Sequence, residues 1–201
     1  MRFAAAVLLV ISLSLMAMGQ SKSDAKSGQK MVNIRITTSL GEIEVQLDAE
    51  HAPVTTANFL KYVDGGFYTE GVFHRTVTTL PDNQPTNKVK IEVIQAGANP
   101  AVKNGMEPIA LERTTATGLK HVDGAISMAR DGPDTATSDF FICVGPQPEL
   151  DFGGKRNPDG QGFAAFGRVT KGMDVVRKIQ AAPSKGQKLI PPVKIIKIER
   201  I

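Results

Sequence analysis

Residues 32–47, with the sequence VNIRITTSLGEIEVQL, decide the architecture that the rest of the chain must complete. Apolar and polar residues alternate on both sides of Ser39-Leu40-Gly41, which is the period of two expected of strands with one buried face. The segment therefore predicts a two-stranded hairpin. Further short apolar runs, separated by loops that contain Gly and Pro, follow at 72–73, 91–94, 124–129, 140–144 and 193–201. This rhythm is typical of an antiparallel sheet that curls on itself.

Two segments instead space their apolar residues as an α-helix does. The first is expected to begin at Pro53 and to end near Val63, before the pair Gly65-Gly66. The second is expected from Gly172 to Ala181. Because an open sheet would leave edge strands free to pair with other chains, we expect a mostly β fold. Its form would be a closed barrel of about eight antiparallel strands, capped by the two α-helices.

Residues 1–19 predict an export signal. Arg2 precedes an apolar run over residues 3–18, and this run is shorter than the roughly 20 residues that span a bilayer. Residues 20–30 are rich in Ser, Lys and Gly and are expected to be a flexible linker to one domain at 31–201. We therefore expect a periplasmic or secreted protein with no stable membrane insertion after cleavage. Retention of the run as an uncleaved anchor is the alternative.

Composition argues against several classes of function. The net charge of +4 is spread along the chain, so nucleic-acid binding is not expected. Cys143 follows a buried-looking apolar run and is expected to fill the core, because a catalytic thiol would need a nearby base. His51 and His121 are interpreted as loop or surface residues, and the Gly-rich segment 153–162 as a surface loop. We expect no cofactor and no metal, and we take a monomer as the default.

Several motifs, in one order along the chain, resemble the cyclophilin-type peptidyl-prolyl cis-trans isomerases. They are TSLGEI at 38–43, APVTTANF at 52–59, FHR at 73–75, VIQAG at 93–97, ISMAR at 126–130, SDFFI at 138–142 and FGRV at 166–169 with GMDVV at 172–176. The resemblance covers about residues 32–201. It implies an eight-stranded barrel with two capping helices, no cofactor, and an outer groove that binds proline-containing segments of unfolded or folding polypeptides.

The resemblance implies that Arg75 is the catalytic residue. Rotation about an X-Pro bond is slow because amide resonance gives a barrier of roughly 18–20 kcal/mol. A guanidinium can donate a hydrogen bond to the prolyl nitrogen of the twisted bond, and it stays charged throughout. Such a contact is stronger in the twisted state than in the planar one, which is the condition for acceleration. Without the motif around it, Arg75 would be interpreted as half of a surface salt bridge.

An apolar wall for the proline ring is implied at Phe141 and Leu150, which match the family's pocket residues. Such a wall would hold one side of the bond while the other side rotates. Phe140, by the period of two along a strand, is expected to face the barrel interior. An ordinary core position is the alternative for Phe141.

Polar and backbone contacts to substrate are implied at three more positions. Gln95 matches the glutamine that binds substrate backbone and helps to hold the arginine. Ala129 and Arg130 match a strand edge whose backbone can pair with an extended peptide. Phe73 and His74 belong to the arginine's own motif and are expected to be structural.

The rim of the implied groove departs from the family's pattern. The segment 76–92 is longer than the usual loop, and its Pro, Asp and Asn residues predict an exposed insertion. Val93 is then the candidate for the pocket position before the glutamine. Asp139, Glu149 and Phe163 stand where glutamine, an aromatic residue and histidine are common, so we expect a more acidic rim that still contacts substrate.

Two functions remain open at this point. The first is an isomerase that assists the folding of exported proteins, where prolyl steps limit the rate. The second is a catalytically weak peptide-binding or chaperone module with the same fold. Presence of Arg75, Gln95 and Phe141 together favours the enzyme, because a module that only binds would need the guanidinium least.

Overall fold

The computed structural model describes residues 31–102 and 106–201. The expected export signal and the linker lie outside these residues. Within them, no helix combines the length and the apolar character that a membrane span requires. The strands and helices are β1 Met31–Thr38, β2 Gly41–Asp48, α1 Pro53–Asp64, β3 Val72–Val77, β4 Val93–Gly97, α2 Thr114–Thr117, β5 Ala125–Met128, β6 Phe140–Cys143, β7 Ala164–Lys171, α3 Met173–Gln180, β8 Ser184–Lys185 and β9 Lys188–Arg200.

Eight of the strands form a closed antiparallel barrel. Their order is β1-β2-β7-β5-β6-β4-β3-β9, and β9 pairs back with β1 to complete the circuit. The two-residue strand β8 pairs only with β9 and lies outside the circuit. Closure removes the free strand edges that an open sheet would expose. The predicted barrel is therefore confirmed.

The hairpin at the start of the chain forms as its alternation predicts. β1 and β2 pair from Met31 opposite Asp48 to Thr38 opposite Gly41. The turn is fastened by the Thr38 hydroxyl, which donates to the Gly41 carbonyl at 2.8 Å. Gly41 has φ +136°, and a Cβ there would lie 2.8 Å from a Val175 methyl. Glycine is therefore required both by the turn and by the packing of α3 against it.

Two helices cap the barrel, as predicted, and a third is one short turn. α1 buries Phe59 and Tyr62, and α3 buries Val176 and Ile179. α1 has no side-chain cap of its own; instead Glu112 accepts hydrogen bonds from the first backbone N–H groups, at 3.0 and 2.7 Å. This carboxylate compensates the positive end of the helix dipole. The short helix α2 was not predicted, because its four residues carry no apolar period.

Consecutive phenylalanines on β6 belong to different apolar clusters. Phe140 lies inside the barrel, where its ring meets the rings of Phe59, Tyr68 and Phe73 edge-on. Phe141 belongs to a second, smaller cluster that also contains Val93 and other residues. The opposite orientations follow from the strand's period of two. The second cluster forms the floor of a cavity on the outside of the barrel.

Cys143 is fully buried in this second cluster, so its predicted role in the core is confirmed. Burial raises the pKa of its thiol well above the ordinary value, and the carboxylates of Asp151 and Asp123 raise it further. The thiol therefore stays protonated at neutral pH, and a thiolate is the reactive form.

We expect Cys143 to resist alkylation by iodoacetamide in the native protein and to react fully in denaturant. Mass spectrometry of the two samples measures the modification directly. Fast alkylation without denaturant would show that the strand β6 opens readily and that the burial of the thiol is not maintained in solution.

Candidate active site

One cavity of about 360 Å³ on the outside of the barrel collects the residues that the sequence assigns to catalysis and substrate binding. With the exception of Glu149, all of them line it. The floor comes from strands β3, β4 and β6, and the walls come from the end of β5 and the loops that follow β3 and β6. The sheet therefore brings together residues that are up to about ninety positions apart in the sequence.

Arg75 reaches this cavity because β3 contains a bulge. Phe73 pairs with Ala96 on β4 and Arg75 pairs with Gln95, so His74 is an extra residue between them. With a regular period of two, Arg75 would share the inward face with Phe73, which is fully buried. The extra residue turns the next side chain to the opposite face. In this structure His74 is the extra residue of the bulge that turns Arg75 to the cavity side of the strand.

Two glutamines orient the Arg75 guanidinium. Its Nε donates to Gln187 Oε1 at 2.8 Å, and its Nη1 donates to Gln95 Oε1 at 2.9 Å. Burial lowers the pKa of Arg75, but the ordinary pKa of a guanidinium is so far above neutrality that the group remains charged at pH 7. Both acceptors are neutral amides, so the arginine is held without being neutralised.

Gln95 is itself fixed by a carboxylate. Its Nε2 donates to Asp139 Oδ2 at 3.1 Å, and His74 Nε2 lies 3.6 Å from the same oxygen. Because the amide nitrogen is committed to Asp139, the amide oxygen must face Arg75. Asp139, which the sequence places at the rim, therefore sets the orientation of Gln95.

An apolar wall stands beside Arg75. Phe141 meets the ring of Phe163 edge-on, with 5.3 Å between the ring centres and an interplanar angle of 89°. Leu150 and Val93 complete the wall. Ile91 also lines the cavity, and sequence reasoning missed it although it continues the alternation that ends at Val93. A compact apolar ring such as that of proline fits such a surface.

His121 braces Phe141 from behind and is not a surface residue. It lies in a loop, as expected, but its side chain is fully buried and its ring stacks on Phe141 at 5.9 Å between centres. Its Nδ1 lies 2.8 Å from Asp151 Oδ1, and its Nε2 lies 3.0 Å from Ser127 Oγ. This order of groups resembles a hydrolytic triad, but Ser127 is fully buried and does not line the cavity. The three residues therefore support the pocket rather than attack a substrate.

Arg130 has a fixed side chain. It forms a double hydrogen bond to the Asp159 carboxylate at 2.7 and 3.0 Å and also donates to the Gly162 carbonyl. Its guanidinium lies 5.0 Å from the centre of the Phe163 ring. Arg130 thus closes the loop 159–162 over the apolar wall.

The expected strand edge at Ala129 and Arg130 is shorter than the resemblance implies. β5 ends at Met128, and the Ala129 N–H already donates to the Asp139 carbonyl at 2.8 Å. That N–H is therefore not available to a bound peptide. The Ala129 carbonyl and the Arg130 backbone remain candidates for pairing with substrate.

Glu149 does not line the cavity; of the two acidic residues expected at the rim Asp139 is there, and Asp131, which sequence reasoning did not assign, lines it as well. The Glu149 carboxylate accepts from the Lys155 N–H at 2.8 Å, and its carbonyl accepts from the Arg156 N–H at 3.1 Å. These bonds fold the segment 149–156 back on itself, which turns the carboxylate away and brings the Arg156 side chain to the cavity. Sequence reasoning missed Arg156, which lies in a loop without a motif.

The insertion after β3 is partly buried rather than exposed throughout. Asn83 and Gln84 are both buried. Asn83 bonds to the backbone of Thr76, Thr78 and Gly186, and the Gln84 amide donates to the carbonyls of Thr78 and Ile91. Side-chain amides therefore replace the backbone pairs that an irregular segment lacks.

Gln187 links this insertion to Arg75. Its Oε1 accepts from Arg75, its Nε2 donates to the Asn83 carbonyl at 2.8 Å, and its carbonyl accepts from the Thr76 N–H at 2.8 Å. The residue follows β8, so it is 112 positions from Arg75 in the sequence. No sequence signal marks it, because a glutamine in a short loop has no local pattern.

We expect Gln187→Ala to lower kcat by roughly tenfold, since misplacement of a catalytic group by a fraction of an ångström weakens contacts made only in the transition state. Lys185→Ala, on the same hairpin and exposed, is the control and should behave as the unchanged chain. The Nε–H resonance of Arg75 should broaden or shift only in the first variant. If both variants had the same kcat, Gln187 would not be needed to position Arg75, and Gln95 alone would hold the guanidinium.

Comparison with known proteins supports a single family. The family model described as cyclophilin type peptidyl-prolyl cis-trans isomerase/CLD matches residues 33–200. Peptidyl-prolyl cis-trans isomerase A of Dickeya dadantii is 37% identical over 179 residues, which cover 89% of this chain and 83% of that protein. Peptidyl-prolyl cis-trans isomerase B of Escherichia coli is 34% identical over 145 residues, which cover 71% of this chain and 80% of that protein.

A solved structure shares the fold. The crystal structure of a cyclophilin type peptidyl-prolyl cis-trans isomerase from Cryptosporidium parvum superposes with a TM-score of 0.67 at 24% identity, covering 85% of this chain and 98% of that one. A second such crystal structure, determined in the presence of the dipeptide Ala-Pro, gives a TM-score of 0.66. The barrel, the matched residues 33–200 and the relatives agree, and the chain therefore belongs to the family of cyclophilin-type peptidyl-prolyl cis-trans isomerases.

Proposed function

We propose that the cavity is where this chain isomerises X-Pro bonds of exported polypeptides, with Arg75 as the catalytic residue. The observation that carries the proposal is the position of the Arg75 guanidinium. It is held by two neutral amide oxygens beside the apolar wall of Phe141, within one cavity. A charged donor next to a surface suited to a proline ring is what rotation about the prolyl bond requires.

The wall and the guanidinium have different tasks in this mechanism. The proline ring would rest against Phe141, Leu150 and Phe163, so that one side of the X-Pro bond is held while the residue before proline rotates. As the bond twists, resonance is lost and the prolyl nitrogen gains a lone pair. Arg75 would donate to that lone pair, which does not exist in the planar ground state.

The neutral partners of Arg75 are important for this role. A carboxylate partner would satisfy the guanidinium in the ground state and weaken its interaction with the twisted bond. Gln95 and Gln187 occupy only Nη1 and Nε. The remaining donors of the fork can serve the substrate, and their direction is set before the substrate arrives.

Magnetisation exchange in NMR tests the activity without a coupled protease. Residues 20–201 are mixed with a short X-Pro peptide, and the exchange between its cis and trans signals is measured with and without protein. We expect exchange in the absence of protein to be too slow to detect and exchange in its presence to be fast. Peptide binding without faster exchange would instead support the peptide-binding module.

The export of the chain is supported by the pattern of residues 1–19. We infer that cleavage near residue 19 releases a monomer outside the cytoplasm, where it assists the folding of other exported proteins. Cell fractionation followed by N-terminal sequencing tests this inference. A full-length chain in the cytoplasmic fraction would contradict it, and a full-length chain in the membrane fraction would favour the uncleaved anchor.

A further inference from the structure

Two arginines without acidic partners line the same cavity. Among the described residues, the Arg75 guanidinium donates only to the amide oxygens of Gln187 and Gln95, and the Arg156 guanidinium donates only to the Gln84 side chain and the Val89 carbonyl. Neither forms an ion pair within the described residues. Arginines placed together in a partly buried cavity are normally paired with a carboxylate, because unpaired buried charge is costly.

The orientation of the Arg156 guanidinium is fixed by hydrogen bonds. Its Nη1 donates to Gln84 Oε1 and to the Val89 carbonyl, both at 2.8 Å. Gln84 is fully buried, and its own amide nitrogen is bound to the carbonyls of Thr78 and Ile91. The nitrogens Nε and Nη2 of Arg156 make no hydrogen bond to any described residue. Three of the five N–H donors of the rigid fork, on two nitrogens, therefore remain for another molecule.

The other charges of the cavity are already engaged or lie at its edge. Arg130 is paired with Asp159, and Asp139 is bound by the Gln95 amide next to His74. Asp131 is exposed. Burial lowers the pKa of Arg156, and the nearby positive charge of Arg75 lowers it further. A carboxylate bound in the cavity would offset the cost of both uncompensated positive charges.

We propose that Arg156 determines substrate specificity by binding a carboxylate of the substrate, so that the protein prefers X-Pro segments with Asp or Glu next to the proline. The proposal rests on the proposed function and adds the class of substrate to it. A guanidinium and a carboxylate form paired, charge-assisted hydrogen bonds. Neighbouring Cα atoms are about 3.8 Å apart, so a residue beside the bound proline lies within reach of the same cavity.

Matched peptides test the preference. In one pair Glu or Gln stands before the proline, and in a second pair Glu or Gln stands after it. For each pair, kcat/KM is measured by exchange NMR and Kd by titration, at low and at high salt. Since hydrogen bonds to charged groups are stronger than neutral ones, we expect at least one Glu peptide to be favoured about fivefold or more at low salt, and less at high salt.

Three variants assign this preference to a residue. Arg156→Gln should bring the ratio between Glu and Gln peptides close to one, and Arg156→Lys should retain part of it. Lys155→Gln removes one positive charge from the same loop, but its exposed side chain does not line the cavity. This control should keep the full ratio. Thermal unfolding of each variant shows whether the loop that Arg156 fastens is still folded.

The outcomes separate this proposal from the proposed function. Equal kcat/KM and Kd values for Glu and Gln peptides in the unchanged chain would overturn the specificity while leaving the isomerase intact. Absence of faster exchange for all peptides would overturn the isomerase, and the ratio of Kd values would still decide the role of Arg156. If Lys155→Gln lost as much of the preference as Arg156→Gln, the preference would come from the overall positive charge of the loop. A specific contact of Arg156 with the substrate carboxylate would then be excluded.

Discussion

Arg75→Ala is expected to lower kcat/KM for an X-Pro peptide by roughly 10²–10³-fold, which is the usual cost of removing one donor that acts on the transition state. Peptide affinity should change much less, because the apolar wall of Phe141 and Leu150 remains. Arg75→Lys should be nearly as defective. An ammonium group cannot bond to Gln187 and Gln95 through separate nitrogens and reach the substrate as well.

Exchange NMR on the variant gives its activity, and thermal unfolding gives its fold. Stability should fall little or even rise, since burial already disfavours the charged guanidinium. Arg177→Ala is the control, because this arginine lies on α3, is largely exposed and pairs with Asp123 outside the cavity. Near-normal exchange in the Arg75→Ala variant would show that the catalytic donor is another group, with Arg156 as the first to test.

The barrel could be predicted from the sequence because its strands follow local rules. The alternation in residues 32–47 predicts which side chains face inward, and the structure buries Ile34, Ile36 and Ile43 completely. The helices could be predicted for the same reason. The C-terminal ends of α1 and α3 each lie one residue from the expected position. The spacing of apolar residues and the Gly and Pro residues that end an element are properties of neighbouring residues. Distant contacts are therefore not needed to predict these elements.

The positions of site residues could be predicted only in part, because several depend on distant contacts. His74 forms a bulge that no periodic rule anticipates, and without it Arg75 would face inward. The Glu149 carboxylate is hydrogen-bonded within its own loop and does not lie at the rim of the cavity. Gln187 and Arg156 acquire their roles from partners more than sixty positions away. Such contacts leave no trace in a local pattern.

The burial of Asn83 and Gln84 has a similar cause. Polar residues in a long loop predict exposure, but a long loop beside a barrel also has backbone groups that need partners. Here the two amides supply those partners, and their side chains become buried in consequence. An insertion that looks dispensable in the sequence thus connects to Arg75 through Gln187 and to Arg156 through Gln84.

The neighbouring residues Phe140 and Phe141 are expected to separate stability from function. Phe140 is completely buried, and its ring meets Phe59, Tyr68 and Phe73 at 5.3, 5.5 and 6.0 Å between ring centres. Phe140→Ala should therefore reduce the free energy of unfolding by about 3–5 kcal/mol, because it leaves a cavity inside a closed barrel that cannot collapse. Phe140→Leu, which keeps most of the volume, should cost much less.

Phe141→Ala should have the opposite balance of effects. The residue is 5% exposed and borders a cavity that is already open, so its removal adds to an open space and does not create a sealed void. The ring is, however, the centre of the proline wall between His121 and Phe163. We expect a smaller loss of stability than in Phe140→Ala, together with a rise of KM and Kd for X-Pro peptides by roughly tenfold or more, as loss of an aromatic anchor implies. Urea unfolding and peptide titration measure the two quantities on the same samples. If Phe141→Ala were the less stable variant and bound peptide normally, the two faces of β6 would have been assigned in reverse, and the catalytic cavity would have to lie elsewhere on the barrel.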